Sequence, residues 1–570
     1  MINIARKNSW TAIDPTAPFR YSAAPLLLKV TDTLMLAPRR FAFIATLTIS
    51  VILVTGAGFA EVLVVCPERF TDAIQQWVRY RTAQGYEITQ IPSEISADKL
   101  NREIKQRCKP QMPEAILLVG DVPSTQPADA SQSVPTHYRK AEIIAPYGGD
   151  QNIATDNPYG DLDGDDVPEI PVGRFPVDRP EDLERMISRS IEYESNENFS
   201  RWRRQINLIA GVGGFGPVID SIIENSTKTF LITQIPAAYQ TTMTQANWQS
   251  PFCPDPRNFR RTVIRRFNEG CLFWIYLGHG HLHTLDRLHV PGGAYPIFEY
   301  QDASRLDASR GSPVALLFCC YAAAYDAPDD CLAEAMLRTK GGPVAVVGGS
   351  RTTMPYAMTT FGSALIDGYF QPHPGTLGEI LIHAKRELAS SAATGGNRLW
   401  FDRIAGLLGH AASARNAERH EHIQLFNLLG DPLLRLPAPE SVAVTTPRIV
   451  KQGEKIQVQI ESPIAGEATV ELIARRGTPR KPIVDRTQLT FNDADLAEFQ
   501  KEYVRANNQE LDRLQQEITA GTHQFQLALP QDFFGSGHAR VYIRGRTDFA
   551  LGSSDIHVER RKESKPTDGG

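Results

Sequence analysis

The stretch PVALLFCCYAAA (Pro313–Ala324) decides the fold, because it joins an uninterrupted apolar run to a pair of cysteines. A short run that is apolar at every position is typical of a strand buried on both faces of a parallel sheet. CLFWIYLGHG (Cys271–Gly280) has the same form and ends in His279. Functional groups in open α/β sheets collect at the carboxyl ends of strands. We therefore expect His279 to lie beside Cys319 or Cys320 at one sheet edge.

Outward from these strands, the chain alternates short apolar runs with amphipathic stretches, beginning at Val62. VLVVCP, EITQIP and EAILLVGDVP predict strands, and RFTDAIQQWVRYRTAQG and SADKLNREIKQRC predict the helices between them, the first closed by Gly85. The same alternation of apolar and amphipathic segments begins again at Arg204, with QINLIAGVGGFG, PVIDSIIENS, CLAEAMLRTKGG and PVAVVGGS. This βαβ order predicts a parallel sheet built from two α/β subdomains, residues 61–200 and 201–437.

Beyond Pro437 the pattern changes to period two. IVKQGEKIQVQI, GEATVELIARR, HQFQLALP and HARVYIRG are spaced by turn residues, which predicts an immunoglobulin-like β-sandwich over residues 438–558. DADLAEFQKEYVRANNQELDRLQQEI has helical spacing and is predicted to be a helical insertion. The polar residues 559–570 are predicted to be a disordered tail.

The N-terminal 1–60 segment contains one targeting signal. Arg39 and Arg40 precede FAFIATLTISVILVTGAGFA, an apolar run that ends in small residues. This predicts a secretory signal cleaved after Ala60, and the alternative is an uncleaved membrane anchor through residues 41–60. Both interpretations predict export, to the periplasm, the cell surface or the medium.

Composition narrows the class of protein. The 570 residues carry a net charge of −5, without the concentrated basic charge that a nucleic-acid binder needs, so we expect no nucleic-acid partner. Seven cysteines are too few for a disulfide scaffold, and their odd number leaves at least one thiol free or paired outside the chain.

The histidines after the second apolar strand allow a metal interpretation. His279, His281 and His283 alternate, as zinc ligands can. The His-x-His-x-Asp-His pattern of zinc hydrolases fails, because His283 stands at the aspartate position and Thr284 follows it. Exposed loop histidines are the alternative. A similar ambiguity affects GVGGFG (211–216), which fits a dinucleotide fingerprint but equally a tight strand-to-helix turn.

The cysteine pair has a second interpretation. A thiol at a sheet edge becomes a nucleophile when a nearby histidine takes its proton and a backbone amide stabilises the oxyanion. His279 could supply that base, and Gly280 could supply an exposed amide. The alternatives are two core thiols or a vicinal redox pair.

Three stretches together resemble a known family. YLGHG, VALLFCCYAAAYDAPDDCLAEAMLRTKGGPVAVVGGS and LFNLLGDPLL are similar, in order, to the gingipain family of cysteine peptidases, peptidase family C25 of clan CD. The similarity extends over about residues 62–437. It implies a caspase-like peptidase domain with Cys320 as nucleophile, because Cys320 stands as far ahead of the CLAEAM helix as the family's nucleophile does from its own helix. It also implies His279 as the catalytic histidine.

The resemblance assigns further site residues. It implies that the amides of Gly280 and Cys320 form the oxyanion hole. DLDGDDVPEIPVGRFPV ends like the family's Glu-x-x-x-Gly-Arg-Phe, which implies that Glu169 orients the catalytic histidine. The loop after VAVVGGS resembles the family's pocket wall, so Ser350 and Arg351, together with His281, are the predicted substrate-binding residues. Arg351 there could favour an acidic substrate side chain.

The resemblance thus predicts a secreted cysteine endopeptidase that acts on proteins or peptides and requires no cofactor for catalysis. A transpeptidase of the same family, and a catalytically silent binding or adhesion protein, are the alternatives. Asp161, Asp163 and Asp165 have the spacing of oxygen ligands in a calcium loop, although the pattern departs from an EF-hand. A structural calcium site is one expectation here, and a solvated acidic turn is the other.

Overall fold

The computed structural model describes residues 60–561 except 124–128, 214–233, 372–374, 392–395, 478–484, 487–488 and 490. All of these residues belong to one compact unit that begins at Gly58. The predicted signal or anchor before Ala60, the quoted segment PVIDSIIENS (217–226) and residues 562–570 of the predicted tail therefore lie outside the described residues. Glu559, the first residue of the predicted tail, instead ends the last strand. Within the described ranges, no helix combines the length and apolar character needed to cross a membrane.

The part of the chain before residue 437 contains the strands and helices of an α/β domain. Its strands are β1 (Ala60–Val65), β2 (Tyr86–Ile91), β3 (Ala115–Val119), β4 (His137–Lys140), β5 (Asn152–Thr155), β6 (Val172–Phe175), β7 (Gln205–Ala210), β8 (Gln240–Gln245), β9 (Phe273–Leu277), β10 (Arg287–Val290), β11 (Gly293–Pro296), β12 (Val314–Phe318), β13 (Ala345–Gly349) and β14 (Phe426–Leu429). Its helices are α1 (Gln75–Ala83), α2 (Ala97–Cys108), α3 (Pro180–Ser195), α4 (Phe259–Asn268), α5 (Leu332–Arg338), α6 (Pro355–Tyr369), α7 (Leu377–Ala389), α8 (Gly396–Leu407) and α9 (Ala412–Leu425).

Ten of these strands form one continuous sheet in the order β2-β1-β3-β6-β14-β13-β12-β9-β7-β8. Neighbours are parallel except β13 and β14, which are antiparallel. The two predicted subdomains thus share a sheet, joined where β6 meets β14. Because of the single antiparallel step, β1, β2, β3 and β6 run opposite to β12 and β9. The edge that receives the carboxyl ends of β9 and β12 therefore also receives the amino end of β6.

The apolar runs form the strands that the sequence predicts. β3, β12 and β13 are buried at every position, as expected for strands covered on both faces. Gly85 follows α1 in the left-handed region, with φ +95°, which favours glycine at a helix end. The α/β class with a large, mainly parallel sheet is confirmed.

The C-terminal part folds as two sheets around a shared apolar core. Its elements are β15 (Glu440–Ser441), β16 (Ala443–Thr445), β17 (Ile449–Lys451), β18 (Lys455–Ser462), β19 (Gly466–Ala474), α10 (Asp493–Asn507), β20 (Glu510–Ile518), β21 (Gly521–Ala528), β22 (Gly535–Arg544) and β23 (Phe549–Glu559). One sheet has the order β15-β23-β22-β19-β20, with β17 also on β23, and the other has the order β16-β18-β21. This arrangement is compatible with the predicted immunoglobulin-like sandwich.

The predicted helical insertion is wrong in its second half. The helix ends at Asn507, and residues 510–518 form β20, which pairs antiparallel with β19. Leu511 and Leu514 of β20 pack against the core of the sandwich. Pairing with β19 and this packing outweigh the helical propensity of the segment, since propensity is a weak prior against tertiary context.

Helix α10 covers the outer edge strand of the large sheet. The side chain of Asn507 accepts a hydrogen bond from the Met243 amide (2.7 Å) and donates one to the Met243 carbonyl (3.0 Å). The hydroxyls of Tyr503 and Thr244 also lie 2.9 Å apart. The insertion thus satisfies backbone groups that an edge strand would otherwise expose.

Candidate active site

The strand that leads to His279 and the strand that leads to the cysteine pair lie side by side. β9 and β12 are parallel neighbours, with Leu277 opposite Phe318. The pairing continues past the strand ends, because the Gly278 amide donates to the Phe318 carbonyl at 3.2 Å. His279 and Cys320 each stand two residues beyond this last pair. The structure therefore brings both residues to the same point of the sheet edge.

The two cysteines have different environments. Cys319 is fully buried in the apolar core, and this burial raises the pKa of its thiol well above the usual range. Cys320 is partly exposed, and its sulfur accepts a hydrogen bond from the Thr353 amide at 3.3 Å. A buried thiol is rarely a nucleophile, since the thiolate is the reactive form. Of the two, Cys320 is the thiol that a ligand can meet.

The backbone turns sharply after Cys320. Tyr321 has φ +57°, a left-handed conformation that costs about 1–3 kcal/mol for such a residue and clusters at functional sites. The Tyr321 amide donates to the Arg351 carbonyl at 3.2 Å, and the Asp150 amide donates to the Tyr321 hydroxyl at 3.1 Å. These bonds hold the turn that presents Cys320.

Glycines allow the histidine segment to pass close to its neighbours. A Cβ on Gly280 would lie 2.7 Å from the Cys320 carbonyl oxygen and 2.7 Å from the Cys319 sulfur. A Cβ on Gly278 would lie 2.8 Å from the Cα of Gly211. Only residues without a side chain fit at these positions. Gly211 therefore serves the close packing of strand ends, while Gly214 and Gly216 of the suggested dinucleotide motif lie outside the described residues.

The remaining histidines of the stretch are spread over the surface. His281 and His289 are exposed, and His283 lies edge-on to the Tyr300 ring with centroids 5.5 Å apart. Among the described residues, the groups close enough to share a metal ion contain only carboxylates. The geometry thus gives no support to the zinc interpretation.

Glu169 lies in the acidic loop. Its carboxylate accepts a hydrogen bond from the Leu162 amide at 2.7 Å, and it forms a cluster with the three loop aspartates in which all ligand atoms lie within 4.8 Å. β6, which follows Glu169, is four strands from β9 in the sheet. At about 4.8 Å per strand this is roughly 19 Å, so the geometry does not support the predicted bond between Glu169 and His279.

Asp286 is an acidic residue near His279 that the sequence did not single out. Gly280 and Leu285 form an antiparallel bridge, so His279 and Asp286 are the next opposing pair. The Tyr276 hydroxyl joins them, donating to the His279 carbonyl at 2.7 Å and accepting from the Asp286 amide at 3.4 Å. The Oδ2 atom of Asp286 is buried and has no hydrogen-bond partner in the described part of the chain. Its closeness in sequence, seven residues after His279, was the one available signal.

Two of the three predicted substrate-binding residues, Ser350 and Arg351, are buried, whereas His281 is exposed. The Ser350 side chain is fully buried and donates to the Ala154 carbonyl at 2.8 Å. The Arg351 guanidinium is held bidentately by Asp326, at 2.7 and 2.6 Å, and donates to the Asn152 carbonyl. Its charge is already neutralised, so the geometry does not support the prediction that Arg351 selects an acidic substrate. Both residues instead fix the loop beside Cys320.

His422 forms a hydrogen bond to the same loop, at Met354. It is fully buried, and its Nδ1 bonds the Glu418 carbonyl while its Nε2 accepts from the Met354 amide at 2.7 Å. This acceptor role requires a neutral ring, and burial lowers the pKa of His422 to about 4. The segment that follows Thr353 is therefore attached to α9.

Fold and site together define an α/β protein that presents a histidine and an accessible thiol at one sheet edge. The model of peptidase family C25 matches residues 57–437, and the chain belongs to this family. The resemblance noted in the sequence is thus confirmed.

Individual relatives match over shorter segments. Gingipain R2 of Porphyromonas gingivalis (strain ATCC BAA-308 / W83) is 26% identical over 229 residues, which is 39% of this chain and 27% of that protein. Gingipain R1 of Porphyromonas gingivalis is 25% identical over 229 residues, which is 39% of this chain and 20% of that protein. The chain thus matches only 20–27% of the length of these curated relatives. The crystal structure of the Arg-specific cysteine proteinase gingipain R (RgpB) aligns with a TM-score of 0.49 and 17% identity, over 88% of this chain and 98% of that one.

Proposed function

We propose that the chain is a cysteine-type endopeptidase with Cys320 as nucleophile and His279 as proton carrier. The observation that supports this most directly is the parallel pairing of β9 with β12, which gives both residues equal positions beyond the strand ends. The burial of Cys319 supports the choice between the two thiols. Membership of peptidase family C25 supports the same class of reaction.

In the proposed reaction, the Cys320 thiolate forms a bond to the carbonyl carbon of the scissile peptide. The C–N bond then breaks as the His279 imidazolium gives its proton to the leaving amine. We assign the amides of Gly280 and Cys320 to the oxyanion, because Gly280 approaches the Cys320 backbone closely. Water finally adds to the thioester, its hydroxyl passing to the acyl carbon and its proton to His279, and the Cys320 thiolate is released.

We assign the acidic assistance to Asp286 in place of Glu169. A carboxylate beside the ring would orient His279 and favour the imidazolium that pairs with a thiolate. The support for Asp286 is its position opposite His279 and its buried, unpartnered Oδ2 atom. Asp286 would act through the histidine and is therefore a positioning residue.

Alkylation combined with peptide hydrolysis tests the assignment. Iodoacetamide should modify Cys320 and abolish cleavage of a mixed peptide library, and Cys320→Ala should be inactive. Cys319→Ala is the matched control, because it alters the adjacent buried thiol and should retain cleavage. Activity that survives Cys320→Ala but not Cys319→Ala would contradict the choice of nucleophile. Adding an amine acceptor and weighing the products distinguishes hydrolysis from transpeptidation.

We further propose that the acidic loop holds a structural calcium ion, outside the chemistry. Carboxylate oxygens from Asp161, Asp163, Asp165 and Glu169 lie within 4.8 Å of one another, and calcium prefers such hard oxygen ligands. Calcium at a hundredfold excess over its Kd should stabilise the fold by about 2.7 kcal/mol, measured by thermal unfolding against a chelator. Asp163→Asn should lose this gain, whereas the exposed control Asp72→Asn should keep it. A gain of the same size in Asp163→Asn would contradict the site.

We also propose that residues 1–60 direct export and are removed after Ala60. Ala60 is the first residue of β1 and pairs with Tyr86, so cleavage there would leave the sheet nearly intact. Sequencing the N-terminus of the exported protein tests this. An intact N-terminus in the membrane fraction would support the alternative, an anchor through residues 41–60.

A further inference from the structure

A cavity of about 550 Å³ is lined by Met354 and Pro355, which directly follow Thr353, the residue whose amide donates to the Cys320 sulfur. It lies between the start of α6, the helices α8 and α9, and the loop that contains residues 142–147. Its walls are mainly apolar and include Met354, Pro355, Tyr356, Phe401, Ile404 and Leu408. This volume is within the range of small-ligand pockets in proteins.

The rim of the cavity exposes large apolar side chains. Tyr147 is 68% exposed and Leu408 is 44% exposed, and both line the cavity. Exposed apolar groups that gather around a concave surface mark binding sites more often than chance positions do. The concave shape and the apolar lining of the cavity thus suit an apolar ligand.

Both walls of the cavity are attached to the chain around Cys320. On one side, the Thr353 amide donates to the Cys320 sulfur, and Met354, the next residue, lines the cavity. On the other side, the loop that carries Tyr147 is bonded through the Asp150 amide to the hydroxyl of Tyr321. Cys320 itself does not line the cavity. A side chain of a peptide bound at Cys320 would enter the cavity by extending past Thr353 toward Met354.

The charges in the cavity do not favour a basic ligand. The Glu418 side chain is buried at the floor, where one carboxylate oxygen accepts from the Ala357 amide at 2.9 Å. Its other oxygen lies 3.3 Å from His410 Nε2. Burial also raises the pKa of Glu418 to about 7, which weakens its negative charge at neutral pH. Glu142 is exposed at the rim, where solvent screens it.

We propose that this cavity is the specificity pocket of the peptidase and that it accepts a large apolar side chain, aromatic or branched aliphatic, of the substrate. The inference rests on the proposed function and adds the class of substrate to it. Tyr356, Phe401 and Ile404 would then determine specificity through the apolar area that they offer. A site of this kind discriminates by burial and shape, so basic or acidic side chains should be cleaved poorly.

A positional peptide library measures the preference directly. Wild-type protein should cleave after phenylalanine or leucine at least about tenfold faster than after arginine or aspartate, in kcat/KM. Ala405→Trp fills the cavity from α8 and should reduce cleavage after phenylalanine about tenfold, while cleavage after alanine changes little. Ala412→Trp, at an exposed position of α9, is the matched control. Ile404→Asp should shift the preference toward arginine, even where Ala405→Trp folds poorly.

A binding measurement separates this inference from the proposed function. Phenylalanine peptides should bind to Cys320→Ala in calorimetry, and the added Ala405→Trp change should abolish that binding whether or not wild-type protein turns over. Preferred cleavage after arginine, lysine or aspartate would overturn the apolar pocket while leaving the peptidase intact. Failure of phenylalanine peptides to bind would overturn it as well.

Discussion

Replacing Gly280 by alanine is the most demanding test of the site geometry. The added Cβ would lie 2.7 Å from the Cys320 carbonyl oxygen and 2.7 Å from the Cys319 sulfur. Ordinary contacts begin at 3.4 Å, so the two segments must separate by about 0.7 Å. The nearest oxygen belongs to the backbone beside the nucleophile, so the separation displaces Cys320 relative to His279.

The size of the effect follows from this displacement. Overpacking of this kind costs about 1–3 kcal/mol of folding free energy, which a domain of this size should tolerate. A displacement of about 1 Å between reacting groups lowers the rate by about a hundredfold. We therefore expect kcat/KM to fall between about tenfold and a hundredfold, with the protein still folded.

Peptide hydrolysis and thermal unfolding should be measured on the same preparations. Gly293→Ala is the matched control, because a Cβ at Gly293 meets no atom within 4 Å. It should leave kcat/KM unchanged. If Gly280→Ala folds and cleaves at the wild-type rate, the close approach of the two segments is irrelevant to activity and the reasoning fails.

Three further predictions concern the support of the site and of the fold. Asp286→Asn should lower kcat/KM at least tenfold and raise the pH at which iodoacetamide modifies Cys320 at half its maximal rate, and an unchanged alkylation profile would contradict the positioning role. Asn507→Leu should cost about 1–3 kcal/mol in urea unfolding, because its two hydrogen bonds to β8 are lost, and a smaller change would show that the edge strand needs no cap. His422 is buried as a neutral ring, and burial lowers its pKa to about 4. Between about pH 6.5 and 4 the unfolded chain therefore binds one more proton than the folded chain. The free energy of unfolding should fall over this range as the pH drops, by about 3 kcal/mol at most. His422→Gln should flatten this dependence while exposed His289→Gln keeps it, and an unaltered pH profile in His422→Gln would contradict the assignment.

The strands, and the two strand ends that carry His279 and the cysteine pair, could be predicted because their signals are local. An apolar run bounded by glycine or cysteine reports burial on both faces, and β3, β9 and β12 form where such runs stand. The helix assigned to residues 510–518 failed for the opposite reason. Its strand form depends on β19, whose partner edge lies far away in sequence.

The acidic partner of the histidine is harder to predict for a similar reason. Glu169 was assigned through a motif, but the reach of its side chain depends on strand order, which puts four strand spacings between β6 and β9. Asp286 enters through a bridge between residues 280 and 285, a contact that no periodic pattern announces. The sequence suggested that the Arg351 guanidinium is free to bind an acidic substrate side chain. Its ion pair with Asp326 has no local signal, because it is a tertiary contact.

By itself, the sequence determined the α/β class, the sandwich and the two strand ends that carry His279 and the cysteine pair. These features follow from the spacing of apolar residues, which the chain carries locally. Only the tertiary structure decided which cysteine is accessible, that the two subdomains share one sheet, and that an apolar cavity lies next to the segment bonded to Cys320. Burial, strand order and cavity walls each depend on residues that are distant in sequence. The contacts that stabilise them form only when the chain folds and brings those residues together.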